Sequence, residues 1–128
     1  MRLLLDSHAL LWWLLDDAQL PAAVGDLIDD PNIPTSVSVV TLWELMLKAE
    51  RGRLKLPLPT ETMFTDVLDE SGFRIIGPER RHVLALAELP QIHGDPFDRM
   101  LIAQAMVEDL DLVTGDEFIR QYPIRTVW

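Results

Sequence analysis

A chain of 128 residues, 48% apolar and 25% charged, has the size and balance of one packed domain, residues 1–128, and not of a disordered segment. Its formal net charge of −10 opposes non-specific adhesion to a polyanion. The absence of cysteine excludes a disulfide framework, thiolate metal sites and a cysteine nucleophile, and suits a reducing cytoplasm. No membrane segment is expected, because Asp6 and His8 interrupt the apolar start and no other window approaches the span a bilayer needs.

The predicted elements alternate strand and helix. Leu3 to Leu5 read as a buried strand, and Asp6-Ser7 supply capping side chains for a helix from about His8 to Leu15. A second helix is expected over Pro21 to Asp29, with proline in its first turn, and then a strand from Ile33 to Val37. Val39 to Arg51 set Leu42, Leu45, Met46 and Ala49 at helical spacing, with Gly52 as the stop and Glu44 off the apolar stripe. Two prolines keep Leu54 to Pro59 irregular, and Thr60 then caps a helix from about Glu61 to Glu70, which Gly72 ends. Phe73 to Ile76 form a strand, Pro78 to Glu88 a helix and Leu89 to Gly94 a loop.

The next helix is the best signalled. Asp95 is an apt N-cap, Pro96 fits the first helical position, and Met100 to Val107 are apolar nearly all round. Leu110 to Thr114 give a strand, Asp116 to Gln121 a short helix and Ile124 to Val127 a last strand. The alternation predicts an α/β fold of three layers, α/β/α, with a mostly parallel central sheet whose ligands bind beyond the carboxyl ends of the strands.

Four acids, Asp6, Glu44, Asp98 and Asp116, stand at or beside such ends. Each has an ordinary explanation. Asp6 can cap a helix; Glu44 can pair with Lys48 one turn on; Asp98, three residues after Asp95, complements the helix dipole. Thr114 with Glu117 has the form of a capping box that sets Asp116 in the first turn. Their joint placement is what points to a site. Carboxylates held together raise one another's pKa unless a cation offsets the repulsion, and oxygen ligands without cysteine suit Mg²⁺ or Mn²⁺ rather than structural zinc.

Other constellations carry less. Lys48, Arg51, Arg53 and Lys55 form either a local cationic patch or a solvated helix end. His82 reads as a surface or boundary residue, and neither His8 nor His93 has a partner at zinc-helix spacing. Trp12, Trp13 and Trp43 read as core or oligomer contacts rather than base-stacking platforms. No nucleophile elbow surrounds a serine and no glycine-rich phosphate loop is present.

In this order and spacing, LLDSHALLWWLL, TLWELMLKAERGRL, DPFDRMLIAQA and LVTGDEFI closely resemble the PIN-domain family, and within it the VapC-type toxin ribonucleases of type II toxin-antitoxin systems. The resemblance runs from Leu3 to Val127-Trp128. It implies a PIN-like domain, and matches Asp6, Glu44, Asp98 and Asp116 to the family acids that bind metal and act in catalysis. It further implies supporting roles for Ser7, at Asp6 or a nearby water, and for Asp95 through capping, with Thr114 in the T-x-D element before Asp116. The family precedent is an endoribonuclease using Mg²⁺ or Mn²⁺ that leaves a 5′-phosphate and a 3′-hydroxyl, is often a homodimer, and is neutralised by a cognate antitoxin. Lys48, Arg51 and Arg99 are candidates for RNA phosphate contacts. Gly115 departs from relatives that carry a charged residue there. Two other readings stay open: a catalytically silent module binding RNA or a partner, and a phosphohydrolase acting on DNA or a small phosphate ester.

Overall fold

In a computed structural model describing residues 1–128, β1 (Leu3–Leu5), β2 (Thr35–Ser38), β3 (Arg74–Ile76), β4 (Asp111–Val113) and β5 (Thr126–Val127) form one parallel sheet. Its order is β3-β2-β1-β4-β5. Around it lie α1 (Ser7–Leu14), α2 (Ala22–Asp29), α3 (Val39–Glu50), α4 (Thr60–Phe64), α5 (Asp66–Glu70), α6 (Arg80–Ala85) and α7 (Pro96–Glu108).

Successive strand residues face opposite sides of a sheet, so a strand buried on both faces reads as an unbroken apolar run. In β1, Leu3 and Leu5 join one core with Leu10, Val24, Ile28, Leu45 and Leu68, from α1, α2, α3 and α5. Leu4 joins the other with Ala85, Leu101, Ile102 and Ala105, from α6 and α7. All three leucines are fully buried, and each contributes roughly 1.5–3 kcal/mol by leaving water. The three-layer α/β/α architecture follows from these two cores, with the sheet parallel throughout.

Several boundaries differ from the sequence expectation. The strand expected from Ile33 starts at Thr35; Pro34 has no N–H for the ladder, although its carbonyl accepts from Leu3 at 2.8 Å. The single helix expected over Glu61 to Glu70 is two, broken at Thr65, where φ is −117° and ψ −76°, and Thr60 is helical instead of a cap. Met63 and Leu68, both buried, would point about 140° apart on one straight helix, and the break lets both reach the core. The helix expected from Pro78 starts at Arg80, and its end tightens into a 3₁₀ turn, Leu86–Glu88. The short helix expected from Asp116 shrinks to a 3₁₀ turn, Ile119–Gln121. No helix is long and apolar enough to cross a membrane.

From β1 the chain steps to β2 and β3 on one side, and later places β4 and β5 on the other. The carboxyl ends of β1 and β4 therefore flank a topological switch point, where open parallel sheets leave a crevice.

Candidate active site

Leu5 pairs with Val113, and the Asp6 N–H donates to the Val113 carbonyl at 3.1 Å, so both segments leave the sheet side by side at the crevice. Asp6 is buried. It caps α1, its Oδ1 accepting from the Ala9 N–H at 2.8 Å. Burial raises its pKa above the ordinary aspartate value; the Thr114 hydroxyl, the Ala9 N–H and His8 pull it down, and the Asp116 charge pushes it up. A capping role and a place in the crevice coexist because the cap occupies only one carboxylate oxygen.

Ser38 both ends β2 and caps α3, accepting from the Val40 N–H at 3.1 Å, so α3 starts without a loop and carries Glu44 toward the same crevice. Glu44 Oε2 accepts from Ser7 Oγ and faces Lys48 Nζ, each at 3.4 Å. Its other oxygen, Oε1, is buried without any partner. The expected Glu44–Lys48 pair is therefore present, yet it satisfies only one side of the carboxylate.

Asp95 caps α7 as its sequence predicts, with Oδ1 accepting from the Asp98 N–H at 3.0 Å. The Asp98 side chain is held from above by a chain of hydrogen bonds. Arg99 Nη1 donates to the Tyr122 oxygen at 3.0 Å, Tyr122 lies 2.8 Å from His93 Nδ1, and His93 Nε2 lies 3.0 Å from Asp98 Oδ2. With Arg99 and the His93 backbone N–H both aimed at the Tyr122 oxygen, the phenol hydrogen has two acceptors, Nδ1 at 2.8 Å and the His93 carbonyl at 3.4 Å, and is assigned to the nearer. That assignment puts the ring proton on Nε2, facing Asp98. Burial first, and then the charges of Asp95, Glu44 and Asp116, lift the Asp98 pKa to about 6 against the pull of the His93 hydrogen bond. Three acids from different parts of the chain thus act on a fourth through space.

The fourth acid sits differently from its expectation. The Thr114–Glu117 capping box does not form; the buried Thr114 hydroxyl accepts from the Asp116 N–H at 3.1 Å. Asp116 braces the segment instead, its Oδ1 accepting from Phe118 and Ile119 N–H groups at 2.8 and 3.1 Å. The N–H groups of Asp116, Phe118 and Ile119 are thereby fixed just beyond the end of β4.

The cations divide. Arg51, Arg53 and Lys55 are exposed, which makes the cationic patch a surface feature, and Lys48 is paired with Glu44. Arg99, expected at RNA, is instead turned into the fold, with Nη1 also donating to the Pro90 carbonyl at 2.9 Å. His82 is fully buried and not at the surface. Its Nδ1 accepts from the Glu79 N–H at 2.9 Å and its Nε2 faces Glu108 at 3.0 Å. Glu79, His82 and Glu108 bring ligand atoms within 4.8 Å of one another, but both ring nitrogens are already committed and Arg81 pairs with Glu108. This cluster pins α6 to α7.

Among the residues that sequence reasoning left without a role, His93 and Tyr122 belong to the Asp98 support. Only His93 carried a signal, its nearness to Asp95 and Asp98 in the chain. Trp13 packs on Phe73 at 4.9 Å, a core contact as expected, whereas Trp43 is 59% exposed beside Phe97.

Within the oxygen-only set of Asp6, Glu44, Asp98 and Asp116, burial raises Asp6 and Asp98, the charge of Asp116 adds to both, that of Glu44 adds to Asp98, and one buried Glu44 oxygen has no partner. A hard divalent cation satisfies such a set.

The sequence pattern of the PIN domain family matches residues 3–124. A curated protein similar to this chain is Ribonuclease VapC22 of Mycobacterium tuberculosis, 29% identical over 130 residues, covering 98% of this chain and 97% of that protein. Among solved structures, VapBC2 from Rickettsia felis bound to a promoter DNA fragment superimposes with a TM-score of 0.76 at 16% identity, covering 100% of this chain and 99% of its counterpart. DNA-bound VapBC from Salmonella typhimurium superimposes with a TM-score of 0.68 at 18% identity, covering 99% and 97%.

Proposed function

Because this chain belongs to the PIN domain family, we propose that it is a VapC-like toxin, an endoribonuclease that uses Mg²⁺ or Mn²⁺ and is neutralised by a cognate antitoxin. The observation that supports the reading is the closeness of Asp6, Glu44, Asp98 and Asp116: the charges of Glu44 and Asp116 act on Asp98, that of Asp116 acts on Asp6, and one buried Glu44 oxygen has no partner. Likeness over nearly the full length of a ribonuclease supports the substrate class.

Asp6, Glu44 and Asp98 would hold the ion, with Asp116 completing the set. When bound, the ion supplies positive charge against the scissile phosphate and makes water more acidic. The remaining work belongs to side chains. His93 fixes one Asp98 oxygen, Ser7 steadies Glu44, and Asp95 and Thr114 fix the backbone from which Asp98 and Asp116 project. Asp116 Oδ1 is tied to two N–H groups, which leaves Oδ2 to orient the attacking water and take its proton. Lys48 and Arg51 would contact RNA phosphates. Metal-independent RNA binding without cleavage would instead mark a silent module, and preferred cleavage of DNA or a small phosphate ester a different phosphohydrolase.

The solved relatives are VapBC complexes, and this supports an antitoxin partner. A homodimer is part of the same reading, as is a cytoplasmic location, consistent with a chain free of cysteine. The test is incubation of purified protein with total RNA, and separately with DNA, with and without Mg²⁺ or Mn²⁺, beside Asp98→Asn and Asp6→Asn, followed by mapping of new ends. New 5′-phosphate RNA ends should appear only with metal and only in the parent protein. Undiminished cleavage by both variants would overturn the assignment.

A further inference from the structure

The crevice next to the acids has a feature that phosphate chemistry does not use. It encloses about 370 Å³, with Asp6 and Asp116 on one wall and His8, Trp12, Gln19 and Trp128 around the rest. No lysine or arginine lines it, so a strand entering here gains no direct attraction to a basic side chain. What the wall offers is aromatic surface. The Trp12 and Trp128 rings lie 5.9 Å apart with planes inclined at 51°, and His8 stacks on Trp12 at 5.3 Å. Trp12 is occupied by both neighbours, whereas Trp128 keeps 38% exposure.

Gly115 ties this surface to the acids. A Cβ built there would lie 2.5 Å from the Trp128 indole, and nothing in its φ, which is outside the left-handed region, demands glycine. The indole demands it instead. Gly115 directly precedes Asp116, so the residue that admits the ring also joins it to the proposed catalytic loop.

Resting on the ribonuclease reading, we propose that Trp128, backed by Trp12 and admitted by Gly115, is the platform on which a base of the bound RNA strand stacks beside the scissile phosphate. Base stacking on an aromatic ring needs no net positive charge and tolerates any base. It therefore supplies affinity where a chain of net charge −10 has none from its overall field.

The test is fluorescence anisotropy of short single-stranded RNA probes, with Ca²⁺ in place of Mg²⁺ so that the probe survives, alongside cleavage of total RNA in Mg²⁺ or Mn²⁺ and melting of every variant. Trp128→Ala should weaken binding roughly tenfold, the scale of one base stacked on one ring, and Trp128→Phe should keep most of the affinity. Gly115→Ala, with the tryptophan in place, should weaken binding similarly by displacing the indole, and should add nothing in the Trp128→Ala background. A fully abasic probe should be indifferent to all of these changes, which a merely structural role of Trp128 would not produce. Unchanged binding in Trp128→Ala and Gly115→Ala, or equal losses with the abasic probe, would overturn the platform while metal-dependent cleavage by the parent protein left the nuclease reading standing. Absence of any metal-dependent cleavage by the parent protein would instead strike the nuclease reading itself.

Discussion

Two clusters of ionisable side chains sit at opposite ends of α7, and they are built on opposite principles. At the start of the helix, Asp98 is pushed up to about 6 by burial and by Asp95, Glu44 and Asp116, and Glu44 keeps a buried oxygen without a partner. At its end, burial alone would raise Glu108, but the His82 hydrogen bond and the Arg81 charge outweigh it and hold the pKa below the ordinary value. Donors and acceptors balance there, since His82 uses both nitrogens. Proximity of ligand-type atoms favours the second cluster as a metal site; the balance of charge favours the first. Charge balance is the better guide, because a cation adds most where like charges are crowded and least where they are already neutralised.

The sharpest break of this contrast is substitution at each end of α7. Asp98→Asn should cut RNA cleavage by at least about 100-fold, the upper end of the loss seen when even an outer partner of a metal ligand is removed. In the metal-free protein it should leave the melting temperature unchanged or higher, because it removes a charge that its neighbours oppose. His82→Ala should do the reverse, with a cost on the order of 2–3 kcal/mol from a lost buried ring and its two hydrogen bonds and ordinary activity per folded molecule. Parallel cleavage assays and thermal melts of the two variants separate these patterns. An Asp98→Asn protein that melts well below the parent in chelator would show the first cluster to be structural as well.

A smaller effect sharpens the comparison through pH. The Asp98 pKa is raised from 3.8 to about 6 and that of Asp6 is raised too. The contribution of each to folding is therefore fully present below the ordinary value and is lost as pH rises through its folded value, which for Asp98 is about 6. Glu108, with a lowered pKa, contributes above about 4.5 and loses that contribution as pH falls through its folded value. In chelator the melting temperature should thus decline from about pH 5 to about pH 7.5 on account of the acid centre. Excess Mg²⁺ or Mn²⁺ should restore it, on the order of 5 °C at about pH 7.5 and much less at about pH 5, where protons compete for the same oxygens. Equal metal shifts at both pH values, or equal shifts in Asp98→Asn, would detach the ion from these carboxylates.

What the sequence made legible followed from local rules. The Leu3–Leu5 run, the Asp95-Pro96 start of α7 and the Gly52 and Gly72 stops each express a constraint within a few residues, and each is found near its expected place. The four acids are proposed as a set on a rule of the same kind, that strand ends converge in a parallel sheet. What escaped depends on contacts across the fold. His82 is buried by α6 packing against α7; Arg99 is drawn to Tyr122, 23 residues on; the indole of Trp128 closes over Gly115. Thr65 breaks a helix whose periodicity looked continuous, because Met63 and Leu68 must both face inward. The expected Thr114–Glu117 capping box gave way because the Asp116 carboxylate reaches the Phe118 and Ile119 N–H groups, a competition that spacing alone does not resolve.

The weakest expected effect concerns two arginines that look alike in the sequence. Arg51 lies exposed just after α3 with no acidic partner, whereas Arg99 donates to Tyr122 and to the Pro90 carbonyl and lies over the Tyr122 ring at 5.8 Å. An exposed cation at a phosphate acts through counterion release, so Arg51→Ala should weaken RNA binding uniformly across sequences and flatten its logarithmic salt dependence by roughly one phosphate contact. Arg99→Lys keeps the charge but loses the planar fork that spans two acceptors. It should leave the salt slope unchanged, lower stability by about 1 kcal/mol, and reduce cleavage modestly through a less firmly held His93. Binding titrations at several salt concentrations, set beside melts of both variants, decide between these roles. A flattened slope in Arg99→Lys would return that residue to the RNA interface and remove it from the chain of hydrogen bonds that supports Asp98.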